Sequence, residues 1–292
     1  MFLSQNVSAD LMGGLTAAVT AIPLAIAFGV LAFSPLGPDY ASAGALAGLY
    51  GAIFTGFFAA LWGGTPCQVT GPTGPLTTVS TAMVATLALR HDSPETAIAL
   101  TFLCVSMAGV CQVLLGFLRV GGMIKYIPYP VIAGFMNGIA ILIALGQIRP
   151  LLGTDSKASW SELLHLQGIL PLTLTVGLIT MIAMKLTPRF SKKLPGALVG
   201  LGLGTLAHHL FAFAGQGAML GRTIGQIPSG VPHLDFVSQF PSLLVGHGAL
   251  LIPTAIALGL LGSIDSLLTS VVADTVTRTR HDSNRELFGQ GM

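Results

Sequence analysis

Runs of mostly apolar residues, each close to the roughly 20 that a helix needs to cross a bilayer core, recur along the whole 292-residue chain. They fall at Leu11–Phe33, Ala43–Trp62, Pro72–Leu89, Ala97–Leu118, Val131–Ile148, Leu170–Leu186, Leu194–Phe213 and Ala249–Ala273. Water cannot surround so many helices that lack a polar face; each needs an apolar environment on every side. Charged residues make up 8% of the chain, against about 25% in soluble domains. The sequence therefore predicts an all-α multi-pass membrane protein with the lipid bilayer as its solvent. A net charge of +2 is too small to point to nucleic acid. The opening MFLSQNVSAD has neither the basic region nor the small-residue cleavage site of a secretory signal, so the first span is expected to be retained. Cys67, Cys104 and Cys111 lack CxxC spacing and sit in or beside apolar runs, where small buried hydrophobes are expected.

Charge placement tests the number of crossings. With a cytoplasmic N-terminus, eight crossings return residue 292 to the cytoplasmic side. Arg119, Lys125, Lys185, Arg189, Lys192, Lys193, Arg278, Arg280 and Arg285 then lie inside, and Arg90, Arg149, Lys157 and Arg222 outside: nine against four. This satisfies the positive-inside rule and points to an inner (plasma) membrane protein. Without Pro72–Leu89 as a crossing, Arg119 and Lys125 would oppose the later basic clusters, so that segment is expected to cross. Gly44-xxx-Gly48 and Gly196-xxx-Gly200-xxx-Gly204 have the small-residue spacing that lets helix backbones approach closely. Ser156–Gln167 reads as a short interfacial amphipathic helix. Gln216–His247, rich in Gly, Pro and polar residues, reads as an external or re-entrant loop with short extended pieces.

One apolar run begins with a stretch that should break a helix. Residues 67–78 read CQVTGPTGPLTT. Pro72 and Pro75 fix φ and lack amide hydrogens, which suits a first helical turn and not a helix interior. The pattern predicts an extended piece at Gln68–Thr70 and a helix starting near Thr73, at membrane depth. Irregular backbone is tolerated there only where protein buries it or a wet cavity adjoins it. Free amides and the helix dipole at such a start form an anion site without a basic side chain, as in transporters with discontinuous helices. In the first span, Pro23 loosens the helix, and Leu24 and Phe28, one turn apart, could face the same cavity.

The last span reads LGLLGSIDSLLTSVVAD and carries Asp265 well inside it. A carboxylate at helix centre costs about 2.5–3.5 kcal/mol on insertion scales, so it marks a functional site by default. Thr269 lies one turn on, on the same face, with Ser266 and Ser270 as an adjacent polar stripe. Carboxylate, hydroxyl and carbonyl oxygens suit Na⁺ or a proton better than a transition metal. Asp274, nearer the cytoplasmic end, is expected to be solvated. A cation at Asp265 would remove the repulsion of a nearby anion, and each ligand would raise the affinity of the other. The histidines show no metal-ligand spacing, and Walker A, G-x-S-x-G and H-E-x-x-H motifs do not occur, so neither an ATPase nor a hydrolase is indicated.

The stretches GGLTAAVTAIPLAIAFGVLA, GLYGAIFTGFFAALWGGTP, QVTGPTGPLT and GSIDSLLTSVVADTVTRTRHDSNRELFGQG together resemble the SulP family of anion transporters, and within it the sodium-dependent bicarbonate transporters. The resemblance implies two inverted seven-helix repeats, of which this chain holds the first plus the opening helix of the second, with a half-helix near the midplane. It implies a substrate anion at Thr73, the backbone of Gly74 and Phe28, and Na⁺ at Asp265 and Thr269, with no other cofactor. It also implies elevator-like transport of a small inorganic anion, bicarbonate before sulfate, and a homodimer of the full-length protein. Pro23-Leu24-Ala25 stands where many relatives carry Pro-Gln-Gly, which implies a less polar pocket. Six further helices and a cytoplasmic STAS domain would follow Met292 by this resemblance, so residues 1–292 alone, a partial transmembrane domain, are expected not to transport. The alternatives are an uncoupled anion channel or exchanger, against which Asp265 argues, and a nucleobase or organic-anion carrier of the same fold.

Overall fold

The computed structural model describes residues 7–90, 93–126, 128–154, 169–190, 196–221, 223 and 235–292. The long helices are α1 (Val7–Phe33), α2 (Ala41–Trp62), α3 (Gly74–Arg90), α4 (Pro94–Phe117), α5 (Tyr129–Leu152), α6 (Pro171–Phe190), α7 (Gly196–Phe211) and α8 (Phe240–Thr277), followed by the short α9 (Ser283–Gly291). Short 3₁₀ turns join several of them, and no strand occurs among the described residues. Each of the eight expected spans is a helix. Six of the described helical segments are long and apolar enough to cross a membrane. The amphipathic segment expected at Ser156–Gln167 lies outside the described residues.

Two boundaries differ from expectation. The last span starts at Phe240 and not near Ala249, so the final part of the expected loop is helical. Pro241 at the start of α8 fits a first helical turn, and Phe240 and Leu243 pack on a buried core. That packing overrides the Gly, Ser and His that make this stretch look like a connection. Of the described residues in the connection before it, Gly217–Met219 and Asp235–Gln239 are 3₁₀ turns and Leu220 is extended; most of the expected loop lies outside the described residues. The second difference is α9, too short and polar to register as a span. Its N-cap is visible in hindsight: Asp282 accepts from the amides of Asn284 and Arg285, each at 3.1 Å.

The chain divides into two compact units. One comprises Met1–Thr20 and Gly138–Thr223. Within it α6 and α7 run antiparallel: a Cβ at Gly196 would stand 2.7 Å from the Met184 carbonyl, and one at Gly204 would overlap the Thr180 hydroxyl. Gly153, at φ 72°, ends α5 with its amide donating to the Pro150 carbonyl.

The other unit comprises Ala21–Asn137 and Ile224–Met292 and carries every candidate site residue. Here α1 and α2 meet backbone to backbone. A Cβ at Gly48 would overlap the Ala25 carbonyl, and one at Gly44 would stand 2.6 Å from the Gly29 carbonyl. The core of this unit joins α3, α4 and α8 through Met83, Leu87, Leu100, Leu103, Leu251 and Leu258. A smaller cluster, Leu267, Leu268 and Leu287, seats α9 against α8. Large apolar side chains elsewhere face outward, among them Ile53, Phe57, Val110 and Ile256, as a bilayer-facing surface requires.

Candidate functional site

Between α2 and α3 the backbone leaves the helix at Gly63 and stays irregular to Thr73. The sequence dictates this: three prolines and four glycines within Gly63–Pro75 cannot sustain a helix. Thr73 is the last non-helical residue, its carbonyl accepting from the Thr77 amide at 2.9 Å and the Thr77 hydroxyl at 2.7 Å. The amides of Gly74 and Leu76 precede the first bonded turn, and Pro75 has none. The 17 residues of α3 rise about 26 Å, less than the roughly 30 Å of a bilayer core. The irregular stretch before it supplies the remaining depth, which is the half-helix expected from the Pro-Thr-Gly-Pro pattern.

Asp265 is buried in α8, at 8% exposure. The Thr73 hydroxyl lies beside its carboxyl group. That hydroxyl oxygen is buried and makes no hydrogen bond, so it neither caps α3 nor reaches bonding geometry with Asp265. The fold thus brings the half-helix start and the intramembrane carboxylate together, leaving an unsatisfied hydroxyl between them. A buried polar group without a partner costs about 1–3 kcal/mol.

The other expected residues take distinct positions. Thr269 is exposed, one turn beyond Asp265, and its hydroxyl donates to the Asp265 main-chain carbonyl at 2.9 Å. Its oxygen lone pairs stay available to a cation. Phe28 is half-buried on α1, which is tied to α3 nearby, where the Thr81 hydroxyl donates to the Leu31 carbonyl at 3.2 Å. Ser270, expected in the polar stripe with Asp265, serves another purpose. It is fully buried and donates to Gln68 Oε1 at 2.7 Å, with Thr65 Oγ1 2.8 Å away. Asp274, expected to be solvated, accepts from His281 Nδ1 at 2.7 Å and from the His281 amide at 3.2 Å. Cys67 is exposed in the irregular stretch, unlike the buried Cys104; its position outside a helix is the reason.

Sequence reasoning missed the residues that hold the irregular stretch. Glu286 of α9 is buried at 2% exposure, and its Oε2 accepts from the Gly64 and Thr65 amides, both at 2.9 Å. Gln290 Nε2 donates to Thr70 Oγ1 at 2.8 Å and to Glu286 Oε1 at 2.7 Å. The only signal in the sequence is an acidic residue in a capped first turn, which says nothing about its partners.

Comparison with known proteins follows the same lines. The profile of the sulfate permease family matches residues 7–292. The bicarbonate transporter BicA of Picosynechococcus sp. is 42% identical over 99% of this chain and 50% of its own length. BicA of Synechocystis sp. is 41% identical over 99% of this chain and 49% of its own length. The chain therefore spans about half the length of these curated relatives. Among solved structures, the transmembrane domain of a cyanobacterial bicarbonate transporter BicA superposes with a TM-score of 0.79 at 40% identity, over 98% of this chain and 70% of that one.

Proposed function

This chain belongs to the sulfate permease family, and from that premise we propose that it carries one half of the binding site of a Na⁺-coupled bicarbonate transporter. The observation that supports this most is the half-helix start at Thr73–Gly74 set against the buried Asp265. Free amides of Gly74 and Leu76 and the Thr73 hydroxyl would hold the anion. Asp265, with the Thr269 oxygen beside its carbonyl, would hold Na⁺. A cation there cancels the negative charge that the anion would otherwise face, which supplies the coupling.

Charge favours a monovalent substrate. Neither Gly63–Leu89 nor Phe240–Thr277 contains a Lys or Arg. Amide dipoles and one hydroxyl compensate a single charge more readily than the two of sulfate, particularly next to a carboxylate. The proposed orientation keeps the N-terminus and residue 292 on the cytoplasmic side of the inner membrane, in accord with the nine-to-four distribution of basic residues.

Thermal unfolding of the chain in lipid nanodiscs, titrated with bicarbonate, tests the site. In Na⁺ buffer the half-saturating bicarbonate concentration should fall well below its value in choline buffer. Asp265→Ala should abolish that difference. Identical titrations in the two buffers would remove the symport reading, and sulfate stabilising as strongly as bicarbonate would remove the substrate assignment.

A further inference from the structure

The irregular stretch Gly63–Thr73 has no regular hydrogen bonding of its own, yet it must present Thr73 and Gly74 at one fixed place. The structure shows what fixes it. A single carboxylate oxygen of Glu286 takes two consecutive amides, Gly64 and Thr65. The other oxygen takes one proton of the Gln290 amide group, and the second proton of that group goes to Thr70. The stretch is thus tied near its beginning and again three residues before Thr73, a distance the chain spans in at most about 10–11 Å. On its opposite side, the Ser270 hydroxyl lies within hydrogen-bond reach of Gln68 Oε1 at 2.7 Å and of the Thr65 hydroxyl at 2.8 Å, as well as of the Ser266 carbonyl on its own helix at 2.9 Å. Ser270 lies on the same helix as Asp265.

We propose that Glu286 is a positioning residue for the anion site: its buried carboxylate fixes the Gly64–Thr70 backbone and through it the half-helix start that faces Asp265. The proposal rests on the anion-site reading above. The chemistry is suited to the task. Buried bonds to a charged acceptor are stronger than neutral ones, and Oε2 receives two of them at 2.9 Å with no solvent to compete. The helix that carries Glu286 is seated as closely as a helix can be. A Cβ at Gly289 would overlap the Gly63 backbone, and one at Gly64 would overlap the Asp282 carbonyl. Glycine at both positions lets the carboxylate reach main-chain amides, where a larger residue would hold α9 away.

The test compares wild type, Glu286→Gln, Glu286→Ala and, as a control, Leu100→Ala, all in nanodiscs. Leu100 is fully buried in the α3–α4–α8 core and outside the contacts above. Two quantities are read: hydrogen–deuterium exchange of the peptide covering Gly63–Thr70, and the half-saturating sodium bicarbonate concentration in thermal unfolding. Glu286→Ala should raise both by about tenfold. Glu286→Gln keeps a carbonyl acceptor for the amides but meets Gln290 with a second donor, and should fall between. Leu100→Ala should lower the unfolding temperature and leave both quantities at wild-type values. Should Glu286→Ala fail to fold, Glu286→Gln decides. Faster exchange with unchanged half-saturation, or no change in either, overturns the positioning role; so does Leu100→Ala behaving like Glu286→Ala. A wild type that does not respond to bicarbonate removes the anion reading alone, and exchange then decides whether Glu286 holds the segment.

Discussion

Asp265 and Thr73 are costly residues that the fold has placed side by side. A buried carboxylate and an unpartnered buried hydroxyl each destabilise the protein, and a shared ligand shell would offset both costs at once. Thr73→Val keeps the shape and removes the hydroxyl. It should raise half-saturating bicarbonate about five- to tenfold, the loss of one hydrogen bond to a charged group, while leaving the unfolding temperature without ligand unchanged or higher. That second readout separates a ligand-binding hydroxyl from a structural one. Asp265→Asn should remove the Na⁺ dependence of bicarbonate stabilisation as Asp265→Ala does, since an amide keeps the oxygen but not the charge. Both outcomes are read in the same nanodisc titration.

At the scale of the element, α3 and α9 work as a pair. The half-helix start is dictated locally, by prolines and glycines, but its position is set, on the proposal above, by a helix that follows it by more than 200 residues. Close approach is the recurring device. Where α1 crosses α2, Gly48 leaves no room for a side chain against the Ala25 carbonyl. Gly48→Leu should therefore lower stability by at least about 1–3 kcal/mol, the usual cost of overpacking, seen as a fall in unfolding temperature. Gly14→Ala on α1 meets nothing within 4 Å and should be neutral or stabilising, because alanine favours helix over glycine by about 1 kcal/mol. Equal losses at the two positions would mean that the glycines report helix propensity and not packing.

For the whole molecule, orientation is the property that charge decides. The basic residues predict that the α1–α2 connection faces the outside and the α8–α9 connection the cytoplasm. In a cysteine-free background, Asp39→Cys should react with a membrane-impermeant maleimide added to intact cells. Arg280→Cys should react only after the cells are opened. The reverse pattern would invert the topology and with it the side from which the half-helix is reached. The unit that contains Ala21–Asn137 and Ile224–Met292 holds every candidate site residue named above, so the proposed half-site lies within one compact body.

The sequence by itself determined the solvent, the spans and the break. Apolar length and charge scarcity require a bilayer, and Pro72 and Pro75 force a helix to restart at depth, because these are consequences of local composition and backbone chemistry. It also singled out Asp265, since a carboxylate within a span stands out without any partner. Only the tertiary structure decided what those residues meet. Glu286 and Gly64 are 222 residues apart, and Ser270 and Gln68 are 202 apart. No local pattern records such pairings, because a buried carboxylate bonded to main-chain amides leaves no partner side chain in the sequence to recognise. The same holds for the start of α8, where packing on the core outweighed Gly, Ser and His. Local chemistry sets where a chain can bend or bury charge, and the long-range contacts set which of those places become one site.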